Sequence, residues 1–404
     1  MNPILIILCV LGGTGLLLLI PWKGARTFTL DLPEKRIHEA EVVLSRRLLV
    51  PGTGDYESFY KRHPQYRLSD DLSRKMPGLM DYRARYFHTG TFAASRVNFD
   101  LLEFLGTRAG NQSSGKAKPA AGARVSPREM NPEKASRFIS AWLIRTGAHS
   151  VGFTRLKAYH LYSHKGRGPG SGLPIHQNHP YAIALTVEMD YRMMQSAPMG
   201  TSLMESSEQY LRSGILALKL AAWIRELGYE ATAHIDGNYE VICPLVAVDA
   251  GLGTVGRMGL LMTPRLGPRV RISVVTTNMP VTMKEIRPER TTLHFCHLCK
   301  KCAAVCPAAA IPDGPRKSVD GKERWQINSE KCYHFWTVSG TDCGRCVIAC
   351  PYSHPDKPVH RFVRWGIKNN LLFRYLALKL DDLYYGRKPA IRALPEWSEL
   401  KDSS

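Results

Sequence analysis

The sequence predicts a mixed α/β (α+β) core, a separate cysteine-rich module and an N-terminal transmembrane helix. Three observations predict it. Eight of the ten cysteines lie between Cys296 and Cys350. From about Asn131, apolar runs of strand length alternate with segments of helical periodicity. Residues 3–20, PILIILCVLGGTGLLLLI, are almost purely apolar.

The cysteines carry the sharpest chemistry. The first run is Cys296-x2-Cys299-x2-Cys302-x3-Cys306-Pro307, and the second is Cys332-x10-Cys343-x2-Cys346-x3-Cys350-Pro351. Closely spaced thiolates can wrap three corners of a cubane, while the last thiolate of such a run holds the other cluster. The pattern predicts a two-[4Fe–4S] ferredoxin-like module. Cys296, Cys299, Cys302 and Cys350 are assigned to one cluster, and Cys306, Cys332, Cys343 and Cys346 to the second. The longer second spacing implies a loop from Tyr333 to Asp342. A disulfide framework belongs to small secreted domains, and structural zinc needs neither the three-cysteine run nor the trailing Cys-Pro.

A chain of 404 residues is far longer than a cluster module needs, so the segment before Cys296 requires its own task. The net charge of +20 suits an anionic partner. The basic residues are spread along the chain, so they favour no single one.

In chain order, the apolar run of residues 3–20 rises about 27 Å as a helix, enough for a bilayer. Trp22 is placed for the interface. A cleaved signal peptide would want a basic residue before the run and a small-x-small site after it. Here Lys23, Arg26, Lys35 and Arg36 all follow. An uncleaved anchor with the bulk of the chain on the cytoplasmic side is therefore expected. Arg46-Arg47 lies on the wrong side of the run for a twin-arginine signal. The expected parts are the anchor (1–22), a segment wrapping the core (23–107), a flexible small-polar linker (108–127), the core (128–290), the cluster module (291–356), and a basic helix with the tail (357–404).

Within the core, Ala182–Met189 reads as a buried strand and Val270–Thr277 as another. Glu205–Leu227 reads as a helix, with Tyr210, Gly214, Ala217, Ala221 and Ile224 on one face and Gly228 as its C′ residue. Residues 361–385 read as one basic, aromatic helix. Gly251-Leu-Gly253-Thr-Val-Gly256 matches a dinucleotide fingerprint. That site also needs an acidic residue about 20 positions on, and no Asp or Glu occurs from Ala250 to Lys284. The remaining readings are a glycine-bent backbone beside solvated arginines, or a backbone approaching a bulky cofactor with Arg257 nearby.

Taken together, the motifs resemble the corrinoid-dependent reductive dehalogenases, catalytic subunit type. The matching pieces are Pro51-Gly-Thr-x2-Tyr56, His63-Pro64, Asp70-Asp71, Val151-Gly-Phe153-x-Arg155-Leu156 and Tyr162-Ser163-His164. Glu188-Met-Asp190-Tyr191, Tyr210, Asp249-Ala-Gly-Leu-Gly253, Thr263-Pro264, Gly267-Pro268-Arg-Val-Arg271, both cysteine runs and Leu380 to Pro389 follow. The resemblance implies a nitroreductase-like core binding a base-off corrinoid (cobalamin) beside the two clusters. It implies Gly251, Gly253, Gly256 and Arg257 at the cofactor, Tyr210 as proton donor and Arg271 as its partner. Where the family often has an Asn before the glycine-rich segment, Asn238 or Asp236 could stand. The family's twin-arginine leader is replaced by the plain anchor.

The implied reaction removes halide from a small organohalide, with electrons from quinol or a redox protein. Electrons would enter at the Cys306/Cys332 cluster and pass to the Cys296 cluster. A phenol near pKa 10 is a poor acid at neutral pH, and a neighbouring guanidinium would lower it. From the residues alone, Tyr210 reads as a core tyrosine rather than an acid and Arg271 as a surface strand residue, with Arg269 the alternate partner; the resemblance reverses that. Two rivals are an epoxyqueuosine-reductase-like enzyme acting on tRNA and a membrane-tethered electron-transfer ferredoxin. No helical repeat follows residue 389, and the second leaves the upstream core without a task. No nucleic-acid partner is expected.

Overall fold

The sheet that backs the site is built on a strand with almost no solvent exposure. In the computed structural model, residues 33–113, 129–167, 170–283, 290–319 and 321–398 are described, with Leu18, residues 20–22 and Phe28 besides. The N-terminal segment forms α1 (Gly54–Arg62), α2 (Pro64–Arg74) and α3 (Thr89–Ser113). The core follows as α4 (Pro132–Arg145), β1 (Ser150–Arg155), β2 (Tyr181–Glu188), α5 (Gly200–Glu226), β3 (Ala231–His234), α6 (Cys243–Asp249), β4 (Thr254–Val255), β5 (Leu261–Met262) and β6 (Val270–Thr277). Then come α7 (Arg290–Cys299), α8 (Lys301–Val305), α9 (Ser329–Ser339), α10 (Arg345–Ile348), α11 (Pro358–Asn369) and α12 (Leu371–Tyr385).

The main sheet runs β1-β2-β6-β3, antiparallel throughout. Six consecutive residues of β2 are buried, which is why it reads as an unbroken apolar run. Strand alternation sorts its two faces. Ile183, Leu185 and Val187 join Leu216, Leu220 and Ile224 of α5, while Ala182 and Ala184 join Val246 and Ala247 of α6. Gly214 lets α3 approach α5: a Cβ there would lie 2.7 Å from Leu102 Cδ1. At the start of α4, the Asn131 side chain accepts from the Glu133 and Lys134 amides, with Pro132 next, so the local sequence fixes that helix end.

Several expectations need correction. The helix expected over Glu205–Leu227 begins at Gly200; its N-cap, Met199, offers no side-chain acceptor, so the sequence carries no start signal. The basic helix of residues 361–385 is two helices. Asn370 breaks it in an extended conformation, and its side chain accepts the Phe373 amide at 2.9 Å. The linker expected from residue 108 begins inside α3, which continues to Ser113. Residues 114–128 lie outside the described residues. The loop expected from Tyr333 to Asp342 is mostly α9, ended by Gly340 at φ 79°. A Cβ at Gly340 would lie 2.4 Å from Ala84 Cβ, because residues 78–86 of the N-terminal segment lie along this turn. No helix among the described residues is long and apolar enough to cross a membrane. Residues 1–17 and 19 of the expected anchor fall outside them.

Candidate active site

α5 and β6 are locked together where Ser273 Oγ donates to Ser213 Oγ at 3.0 Å. Arg271 has the same strand parity as Ser273 and so faces the same helix. One turn back from Ser213 along α5 is Tyr210. The Arg271 guanidinium carbon lies 4.5 Å from the centre of the Tyr210 ring. Arg271 also donates to Asp342 Oδ2 at 2.7 Å and to Ser206 Oγ. Asp342 immediately precedes Cys343, so this ion pair ties the tyrosine to the cluster-bearing turn.

Tyr210 and Arg271 line a cavity of about 190 Å³. Tyr162, Tyr239, Cys243, Leu260 and Pro268 also line it. Drug-sized ligands usually occupy roughly 300–1,000 Å³, so this space suits a small organic molecule. Burial pushes the Tyr210 phenol up to about 12, with Arg271 pulling the other way and the Asp236 and Asp342 carboxylates adding to the rise. The cation acts in the expected sense, but burial outweighs it and Asp342 offsets its charge.

Tyr239 is a second phenol on this cavity. Its hydroxyl donates to Asp236 Oδ1, and the Arg167 guanidinium lies 5.3 Å from its ring centre. Arg167 in turn donates to Glu39 at 3.0 Å. Sequence reasoning did not single out Tyr239, Arg167 or Asp342 as site residues. The available signals were Tyr239 following the flagged Asn238 and Asp342 abutting a cluster cysteine. Asn238 is not among the lining residues; its side chain accepts from Lys165 Nζ at 2.9 Å and donates to the Gly106 carbonyl at 3.1 Å.

The glycine-rich stretch is closely packed. A Cβ at Gly253 would lie 2.2 Å from the Met262 carbonyl oxygen, and one at Gly256 would lie 2.6 Å from Met262 Cγ and 3.5 Å from Cys296 Sγ. Gly251, at φ 79°, turns the chain out of α6. These glycines let β4 and β5 pair and bring the first cysteine run close. Arg257 is fully buried, not solvated. It donates to the carbonyls of Cys296, Pro312 and Gly314 and lies 4.5 Å from the Trp325 ring centre. It braces the cluster turn. Arg269, the alternate partner for Tyr210, precedes β6 and donates instead to the Ser353 carbonyl and Glu188.

The cysteine thiols neighbour one another across the two runs. Cys350 feels the charges of Cys296, Cys299 and Cys302, while Cys343 feels those of Cys332 and Cys306. Cys346 neighbours Cys343, Cys332 and Cys306, and also Cys302 of the first set. Burial raises the Cys299 thiol to about 12, so a cation or cluster is needed to hold it as thiolate. Lys300 and Cys343 adopt left-handed backbone at φ 59° and 63°, turning the chain inside each Cys-x2-Cys segment. Among the described residues, no three His, Cys, Asp or Glu side chains form a site for a single ion. Two sets of four thiols, five of the eight buried and three half-buried, fit two cubanes. Cys306, Cys332 and Cys346 are the half-buried thiols, and their set is also the one that Asp342 joins to the cavity.

A family model of the 4Fe-4S dicluster domain matches residues 295–354. Over 214 residues the chain is 37% identical to a tetrachloroethene reductive dehalogenase of Sulfurospirillum multivorans, covering 51% of this chain and 42% of that one. A B12-dependent reductive dehalogenase structure superposes with a TM-score of 0.67 at 24% identity, over 91% of this chain and 49% of that chain. The fold is that of the reductive dehalogenases. The resemblance read from the sequence holds, and a 4Fe-4S dicluster domain is present. Catabolic reductive dehalogenase NpRdhA, solved in complex with 3-bromo-4-hydroxybenzoic acid, gives a TM-score of 0.67 at 22% identity over 91% of this chain and 49% of that chain. The chain spans about half the length of these solved structures, and 42% of the curated relative's length.

Proposed function

We propose that this chain is a membrane-anchored reductive dehalogenase that removes halide from a small organohalide. The observation carrying the reading is a buried phenol on a small cavity, backed by a guanidinium whose ion pair reaches the turn of a cluster cysteine. The net reaction converts R–X, two electrons and one proton into R–H and X⁻. The carbon–halogen bond breaks, the carbon is reduced, and halide leaves.

The residues fit two clusters, held by Cys296, Cys299, Cys302 and Cys350 and by Cys306, Cys332, Cys343 and Cys346. The cavity is smaller than a corrin ring, so its volume suits the substrate, and no residue is assigned to hold the macrocycle. A corrinoid, when bound, supplies a strongly reducing cobalt centre. Everything else falls to the chain. The apolar wall of Leu260, Pro268 and Val270 excludes water around the substrate. Tyr210 holds a proton at Oη that is not lost to solvent at neutral pH, yet passes to a far stronger base such as a carbanionic product carbon. Arg271 then stabilises the phenolate left behind. Asp236, accepting from the Tyr239 hydroxyl, fixes that side chain on the cavity.

Residues 3–20 serve as the anchor, with the catalytic domain on the cytoplasmic side and quinol or a redox protein as electron donor. The test is halide release by anaerobically reconstituted protein on tetrachloroethene and 3-bromo-4-hydroxybenzoic acid. Turnover with intact clusters supports the reading; the absence of both corrinoid uptake and halide release contradicts it.

A further inference from the structure

α12 carries an apolar stripe on its outer face. Leu372, Tyr375, Leu376, Leu380, Leu383 and Tyr384 fall at helical spacing and are 39–78% exposed. A stripe at this spacing ordinarily packs onto a core. The opposite side of the helix already does so, through Phe373, Arg374, Ala377 and Asp381. Asp381 accepts from buried Lys301, between Cys299 and Cys302, so the helix is firmly seated on the cluster module. α11 adds two exposed aromatic residues. Phe362 stacks on Trp365 at 5.8 Å and meets Phe373 of α12 at 5.7 Å, which links the two helices' aromatic surfaces. Lys357, Lys368, Lys379 and Lys388 are exposed along these helices and at their ends.

What faces the stripe is indicated by where the N-terminal run arrives. Trp22 forms a parallel bridge with Asn370; the Leu371 amide donates to the Trp22 carbonyl at 2.7 Å, and Asn370 Nδ2 donates to the Ile20 carbonyl at 2.8 Å. The last residues of the 3–20 run are thus pinned to the start of the stripe, with Ile20 and Trp22 half exposed. A run of bilayer length ends beside an outward face of Leu, Tyr, Trp and Lys, the composition of an interfacial helix. A second protein copy would account for an apolar stripe, but not for its convergence with this run or for its lysines.

We propose that the outer face of α11 and α12 lies on an anionic lipid surface, fixing how the enzyme sits at the membrane. This rests on the reading that residues 3–20 enter the bilayer. The test uses the full chain in vesicles of phosphatidylcholine and phosphatidylglycerol carrying a photoactivatable acyl chain, with adducts mapped by mass spectrometry. The expected result is lipid adducts on residues 372–384 as well as on the 3–20 run. Leu376→Glu with Leu380→Glu, both solvent-facing, should lower the α12 yield several-fold while leaving the 3–20 yield and the cluster absorbance unchanged. Adducts confined to the 3–20 run overturn the docking face and leave the anchor standing. Protein–protein cross-links at 372–384 without lipid adducts overturn it in favour of a second copy. Failure to partition into vesicles at all overturns both.

Discussion

Two tyrosines, each with an arginine over its ring, face one cavity, and they differ in what each hydroxyl does. Tyr239 donates to Asp236, and burial with that carboxylate pushes its phenol well above the ordinary range. Tyr210 makes no hydroxyl hydrogen bond among the described residues, and its phenol rises only to about 12. Each arginine sits over its ring and is bound to a carboxylate, Arg167 to Glu39 and Arg271 to Asp342. Similar parts thus yield one phenol committed to a neighbour and one with its proton available. The difference teaches that an arginine beside a tyrosine does not make an acid. What separates the two phenols is the hydroxyl's partner, Asp236 for Tyr239 and none among the described residues for Tyr210.

The largest effect expected outside Tyr210 itself comes from breaking the arginine pairs. Arg271→Ala leaves Asp342 without its counter-ion, and Arg167→Ala does the same to Glu39. Each should cost about 3–5 kcal/mol in denaturant unfolding. Arg271→Ala should also move the Tyr210 ionisation upward further than Arg167→Ala does, by removing the larger of the two lowering influences. An equal effect on both phenols in a phenolate absorbance titration would erase the distinction between the pairs.

A smaller effect tests the helix that carries Tyr210. Gly214→Val should destabilise by about 1–3 kcal/mol, since the added atoms collide with Leu102. A melting temperature unchanged by the substitution would show that α3 yields freely.

Smaller again is Asp236→Asn. Removing that charge should lower the ionisation of Tyr239 and, to a lesser extent, that of Tyr210, because the carboxylate raises both. The titration difference against Tyr239→Phe separates the two.

A pH effect comes from His234. Its Nδ1 accepts the Glu240 amide and Nε2 faces Thr276 Oγ1, which assigns a neutral ring. Burial lowers its pKa to about 3 from the ordinary 6.5. The unfolded chain then binds a proton that the folded chain refuses, so this contribution is complete above pH 6.5 and is lost as pH falls toward 3. His234→Gln should flatten that part of the acid-unfolding profile; an unaltered slope would assign the acid sensitivity elsewhere.

Much of this was legible in the chain because it rests on spacing. The eight cysteines, the helix face from Tyr210 to Ile224, and the strand Val270–Thr277 are periodic signals that local chemistry enforces. What could not be read depends on long-range contact. Nothing local says that Gly253 and Gly256 press against Met262, that Arg257 braces three carbonyls of the cluster module, or that Asn370 caps a second helix. Asp342 reads as an ordinary acidic residue until β6 brings Arg271 to it. Tyr239 becomes a wall of the cavity only because the chain turns back after β3.

We propose that the proton reaching the product carbon comes from Tyr210 and not from Tyr239. The direct measurement is halide release by Tyr210→Phe and Tyr239→Phe side by side, at equal corrinoid and iron content. Tyr210→Phe should fall by about 10²–10⁴, the usual worth of a positioned acid, while Tyr239→Phe keeps most of its rate. Full turnover by Tyr210→Phe, or an equal loss in both, would contradict it.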